Sequence, residues 1–142
     1  MHQECDDHGA GCVHHWTPDE EPDAVTRMFE WWNRAYAENG FTEAGFARFF
    51  TDDAVFLIDG IVRARGPAGL LAYFQRIRDH SDAVVLHAPE DSFVSGDRVF
   101  VQYRTSVRAG GTAEEHDIMA AARVAFGRIA FFKAIRRIEP AP

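Results

Sequence analysis

Cysteine is scarce in this chain: Cys5 and Cys12 are the two among 142 residues, and both stand near the N-terminus. No disulfide framework can therefore support the fold, and a reducing, cytoplasmic setting is expected. Long apolar runs are also missing. No window approaches the roughly 18 residues that a membrane span requires, and the N-terminus lacks the basic start and apolar stretch of a secretion signal. A surplus of base is absent as well. The net charge of −7 equals the seven acids of residues 1–23, a stretch without Lys or Arg; the rest of the chain balances 15 acids against 15 bases. A neutral body with dispersed Arg has no basic stripe to neutralise phosphates, so nucleic acid is set aside as a partner. Gly66-Pro67 and Gly127-Arg128 read as turn chemistry rather than phosphate loops, and no cofactor is implied.

What the chain does have is a packed composition, 46% apolar and 13% aromatic with twelve Phe and three Trp, at a length that closes one core. Residues 1–16, MHQECDDHGAGCVHHW, show no hydrophobic period and read as an irregular acidic tail. Cys5, His8, Cys12 and His14 or His15 are ligand types that can close a zinc site, but their spacing matches no strong zinc signature; a mobile leader is the plainer alternative. Residues 17–142 read as a single domain. Thr17-Pro18-Asp19-Glu20 has the composition of a helix start, with Pro22 able to move it later, and Val25, Met28, Phe29, Trp32, Ala35 and Tyr36 recur at helical spacing up to Asn39-Gly40. Thr42 caps a shorter helix bearing Phe46, Phe49 and Phe50. The period then changes to two: Ala54–Ile58 and Ile61–Arg65 flank an Asp59-Gly60 hairpin turn. Leu70, Leu71, Phe74 and Ile77 mark a third helix ending near His80. Four strands follow over 83–94, 98–108, 115–126 and 128–138, separated by Gly96-Asp97, Gly110-Gly111 and Gly127. Helices first and a sheet later predict an α+β fold.

That order, with Phe49-Phe50-Thr51-Asp52-Asp53-Ala54-Val55-Phe56, Asp59-Gly60, Gly66-Pro67, Tyr73-Phe74 and the late GRIAFFKAIRRI, resembles the nuclear-transport-factor-2-like superfamily, and within it the SnoaL-like branch. DDAVFLIDGIVRARGPAGLL runs without a gap alongside the corresponding stretch of dehydrochlorinase-like members. The likeness covers about residues 22–138. It implies a cone: a strongly curved, mostly antiparallel sheet wrapped over three helices, with a pocket at the open end. The chemistry stays open, because the fold hosts isomerases, dehydratases, epoxide hydrolases, cyclases and binding modules.

Strand alternation sorts the side chains. Val99, Val101, Tyr103, Thr105 and Val107 share one face of the second long strand. The matching register turns His116, Ile118, Ala120, Ala122 and Val124 inward on the next strand, and Ala130, Phe132, Ala134 and Arg136 on the last. Small Ala at 120, 122, 130 and 134 leaves room for a cavity. The other face carries Met119, Ala121, Ala125, Ile129, Phe131 and Ile135. A sheet apolar on both faces needs a second cover, and a homodimer through the outer face supplies it; a one-residue displacement of the strands is the alternative.

His116, on the predicted pocket face, is a candidate to take or deliver a proton near neutral pH, or else a rim histidine that only hydrogen-bonds. His87 falls roughly where scytalone dehydratase-like and dehydrochlorinase-like members carry a catalytic His. The resemblance implies an Asp partner near the first helix, and Asn39, with Glu38 adjacent, stands at that position here. The resemblance would align the ketosteroid-isomerase acids with Ile58 and Ala120, which argues against that chemistry. Tyr103 is the candidate donor to a carbonyl. Trp32, Tyr36, Phe56, Ile58, Tyr73, Val101, Thr105, Ile118, Ala120 and Phe132 are the candidate ligand-binding residues, with Arg136 either holding a carboxylate or phenolate or reaching to solvent. Asp117 should face outward and pair with Arg104 or Arg123. The leading expectation is a cofactor-independent pocket protein acting on a small hydrophobic, aromatic or polyketide-type molecule by His/Tyr acid–base chemistry. The alternatives are a non-catalytic ligand-binding or association module and, more remotely, metal handling by the tail.

Overall fold

Asp23 opens the first helix. Its backbone is extended (φ −69°, ψ 172°) and its carboxylate accepts the amide of Thr26 at 2.8 Å, satisfying one of the helix donors that lack an internal partner. The computed structural model describes residues 23–140, so the tail with its Cys5/His8/Cys12 grouping and the Thr17-Pro18 start lie outside the described residues. Helix α1 runs Ala24–Glu38. Asn39 ends α1 in the left-handed conformation (φ 55°). Thr42 then caps α2 (Glu43–Phe49) by accepting from Gly45 N at 2.9 Å.

Strands β1 (Phe50–Ile58) and β2 (Ile61–Arg65) form a hairpin whose turn, Asp59-Gly60, has positive φ at both residues (55° and 81°), the type I′ geometry that matches strand twist. Helix α3 covers Gly66–Asp79. The remaining chain is a meander of β3 (Ala83–Leu86), β4 (Asp91–Ser95), β5 (Arg98–Ala109), β6 (Thr112–Ala125) and β7 (Arg128–Pro140). The expected strand over 83–94 is split in two. β3 and β4 pair with successive parts of β5, and Pro89, without an amide hydrogen, lies in the interruption. The sheet order is β2-β1-β7-β6-β5-β3, antiparallel except for the β1–β7 contact.

This α+β arrangement puts the helices on one sheet face, where Val25, Trp32, Phe46, Leu70, Ile129 and Phe132 are almost wholly buried. On the α2 side Trp31, Phe41 and Phe46 interlock, with ring centroids 4.9 to 6.0 Å apart. Such pairs contribute about 0.5–1.5 kcal/mol each beyond simple burial, and they leave that side solid.

Two outer-face expectations change. Ile129 is fully buried, because β7 is bulged: Val124 pairs with Ile129 but Arg123 with Phe131, so Ala130 is the extra residue and parity inverts across it. Ala130 accordingly loses its predicted inward place. Asp117 faces outward, but its partner is Arg137 of β7 at 3.6 Å, while Arg104 lies 3.8 Å from Glu115. Arg104 on β5 and Arg137 on β7 both stand directly opposite Asp117, and it is the Arg137 guanidinium that reaches the carboxylate. No helix among the described residues is long and apolar enough to cross a membrane.

Candidate functional site

Between the curved sheet and helices α1 and α3 lies a cavity of about 240 Å3. Met28, Phe29 and Trp32 of α1, Phe56 and Ile58 of β1, and Tyr73, Phe74 and Ile77 of α3 line it. The sheet adds Val84, Leu86, Tyr103, Thr105, Val107, His116, Ile118, Phe132, Ala134 and Arg136. Seven of the 18 lining residues carry a Phe, Tyr or Trp ring, so the interior favours a flat or compact apolar body.

The polar groups are few and clustered. His116 is buried at 7% exposure, and its Nε2 lies 3.1 Å from Oε1 of Glu114. The two residues are two apart on β6, which places both on the concave face. A carboxylate oxygen accepts, so in the neutral ring this contact assigns the proton to Nε2 and leaves Nδ1 as the acceptor. Glu114 is half-exposed at the lip. Thr105 stands directly opposite His116 in the β5–β6 register, and Tyr103 is the diagonal neighbour, at Cβ separations of about 5 and about 7 Å by sheet geometry. Among the described residues the buried Thr105 hydroxyl has no hydrogen-bond partner, and neither has the Trp32 indole N–H. Burial pushes the Tyr103 phenol well above its ordinary value of 10.0, so it remains a proton donor throughout the physiological range. The Phe29 ring packs against it at 4.6 Å.

The second polar group sits where the β1–β2 turn meets β7. Asp59 accepts from the Arg136 amide at 3.0 Å and from Arg136 Nε at 2.8 Å. These two hydrogen bonds, first the backbone one and then the guanidinium, hold the Asp59 carboxyl below its ordinary value of 3.8. Burial raises the Tyr73 phenol, opposed by the positive charges of Arg63, Arg136 and Arg76. Among the described residues no three His, Cys, Asp or Glu side chains converge to hold a metal ion.

Of the sequence candidates, His116, Tyr103, Trp32, Phe56, Ile58, Tyr73, Thr105, Ile118, Phe132 and Arg136 line the cavity; Tyr36, Val101, Ala120 and His87 do not. Val101 and Ala120, paired with each other, are buried beyond it. Tyr36 stacks on Trp32, and its hydroxyl bonds to Ser81 at 2.7 Å. His87 is exposed, with Nε2 2.7 Å from Ser106 Oγ, which in turn donates to Glu115. Parity explains its position: Val84 and Leu86 take the cavity side of the edge strand, and His87 is one residue on. Asn39 is the C-cap of α1 and accepts from Gln75, with no connection to a histidine. Glu114 was missed because the strand was expected to begin at 115; extended to Thr112, the same alternation pairs it with His116.

Residues 25–132 match the family model described as the SnoaL-like domain. Among solved structures, TerC co-crystallised with polyporic acid is 17% identical at a TM-score of 0.67, covering 80% of this chain and 88% of that one. An epoxide hydrolase of the LEH-like type from M. tuberculosis is 17% identical at a TM-score of 0.62, covering 80% and 83%. Wild-type IdmH, a putative polyketide cyclase from Streptomyces antibioticus, is 16% identical at a TM-score of 0.60, covering 78% and 89%. No curated protein matches the sequence. At these identities the structures establish a common fold, and the family match spans most of the chain: the protein belongs to the SnoaL-like domain family.

Proposed function

We propose that the cavity takes a small hydrophobic molecule of aromatic or polyketide type and acts on it by cofactor-independent acid–base chemistry. The observation that carries this reading is a buried imidazole in the cavity wall, backed by a carboxylate at 3.1 Å, with a buried phenol on the adjacent strand. His116 Nδ1 takes a proton from the carbon beside a substrate carbonyl, and Glu114 keeps the ring oriented through Nε2. The Tyr103 hydroxyl donates to the carbonyl oxygen as it becomes an enolate oxygen. The His116 proton then returns to another carbon, giving an isomer; or the enolate carbon attacks a second carbonyl of the substrate, whose oxygen takes the proton from His116, giving a ring that bears a hydroxyl. The neighbouring folds of an epoxide hydrolase and a putative polyketide cyclase support a site for small molecules.

The test is hydrogen–deuterium exchange of 1-tetralone in D2O, followed by proton NMR. The protein should accelerate exchange next to the carbonyl, and His116→Ala should lower the acceleration by about 100-fold or more, the scale of general-base catalysis. Exchange no faster than in buffer, while 1-tetralone binds, leaves the alternative of a binding module without turnover.

We further infer a homodimer through the outer sheet face. Met119 (67%), Ile135 (62%) and Phe100 (40%) are exposed there beside one groove, an apolar patch that water does not favour. Sedimentation equilibrium should give twice the chain mass, and Met119→Lys should give the single-chain mass; a wild-type monomer refutes the interface. The shortage of cysteine supports a cytoplasmic location.

A further inference from the structure

We propose that the rim of the cavity selects ligands bearing one anionic group, a carboxylate or phenolate, on an otherwise apolar body. This rests on the cavity being a ligand site. Arg136 and Tyr73 both line the cavity. Arg76 stands one helical turn from Tyr73 on α3, and Arg63 precedes Ala64, the partner of the lining residue Phe56; neither arginine is itself in the lining. The positive charges of these three guanidinium groups act on the Tyr73 hydroxyl against the carboxylate of Asp59. Asp59 neutralises one of the three. Its contacts are to the Arg136 amide and Nε, so they fix the guanidinium by one edge. The remaining positive charge lacks a local counter-ion in this group.

Arg63 is the clearest sign of incompleteness. The β1–β2 register passes from Phe56–Ala64 to Leu57–Val62, which makes Arg63 a bulge residue. Its Nε is buried and has no hydrogen-bond partner among the described residues, and a buried donor left unpaired is costly. Elsewhere the lining is apolar apart from His116, Thr105, Tyr103 and the Trp32 N–H. Glu114 cannot serve as the missing anion, because it is committed to His116 on β6. A ligand with its apolar body among the rings and its acid group at the Tyr73–Arg136 rim meets both requirements. The acid accepts from the guanidinium side, and the uncharged body fills the interior.

The probes are 2-naphthoate and its isosteric neutral partner 2-naphthamide, titrated calorimetrically into the wild-type protein at neutral pH and low salt. Naphthoate should bind about tenfold more tightly, the scale of one charge-assisted contact at a partly exposed site, and added salt should narrow the gap. Arg63→Gln should bring the two affinities close together without weakening naphthamide. Asp59→Asn should widen the preference, because it removes the competing carboxylate while an Asn-Gly pair retains the turn and the acceptor for the Arg136 amide. Thermal melts of both variants establish that they are folded. Equal affinities in the wild type, or tighter naphthamide, overturn the rim proposal and leave the cavity reading intact. Binding of neither compound removes the cavity reading and the rim proposal with it.

Discussion

Thr105→Val should make this protein more stable and its cavity a poorer ligand site. Thr105 is 5% exposed, and its hydroxyl has no partner among the described residues. A buried hydroxyl left unsatisfied costs about 1–3 kcal/mol. Valine has nearly the same shape, keeps the β-branched preference for a strand, and replaces the hydroxyl by a methyl worth about 0.8 kcal/mol when buried. Taking the low end of the first figure and discounting for imperfect fit, the gain should be about 1.5 kcal/mol. For a domain of this size that raises the midpoint by about 5 °C. Urea unfolding and thermal melts followed by circular dichroism read it directly. Thr105→Ser is the control: it keeps the hydroxyl, loses a methyl, and should cost about 1 kcal/mol. Should Thr105→Val prove neutral or destabilising, the hydroxyl is satisfied in solution and the argument for a polar group held ready for a ligand fails. A stabilised variant that binds 1-tetralone less tightly would show stability given up for function.

Three further outcomes are expected. Gly66→Ala should destabilise by about 2 kcal/mol in urea unfolding, because φ at Gly66 is +69° and the added Cβ would lie 2.8 Å from the Asp52 carbonyl oxygen; an unchanged midpoint would show that the α3 entry relaxes freely. The Asp59–Arg136 link should add stability at neutral pH and lose it in acid. Asp59 has a lowered pKa, so its contribution is full above its ordinary 3.8 and disappears as pH falls through the lower folded value; the stability gap to Asp59→Asn should close over that interval, and a gap constant into acid contradicts it. Tyr103→Phe should leave 1-tetralone binding within about threefold but slow its exchange by about tenfold or more, the loss of one donor to a developing enolate; equal loss of both would assign the hydroxyl to binding alone.

The meander was legible because its turns are written in glycine and its strands in a period of two. Tyr103, Thr105, His116 and Ile118 could be placed on one face from alternation alone, since successive side chains on a strand must oppose each other. The same rule failed at Ile129 and Ala130, where a bulge in β7 inverts parity, and no local residue signals which position becomes the extra one. His87 shows a related limit. The resemblance supplied a position, but one residue of offset on an edge strand moves a side chain from cavity to solvent.

Some properties belong to the linear order of residues and were determined there: an α+β type, two helices, a hairpin and a third helix ahead of a ribbon of strands, and a concave lining that includes an imidazole and a phenol. They rest on local periodicity, capping and turn chemistry, which act over a few residues. What the tertiary structure alone decided was which polar groups meet. Glu114 at His116 depends on where β6 begins, Arg136 at Asp59 joins residues 77 positions apart, and the unpartnered Thr105 hydroxyl and Arg63 Nε are visible only once every neighbour is in place. Hydrogen-bond reach is about 3 Å, a distance set by how the sheet curves and where it bulges, and no spacing in sequence encodes it.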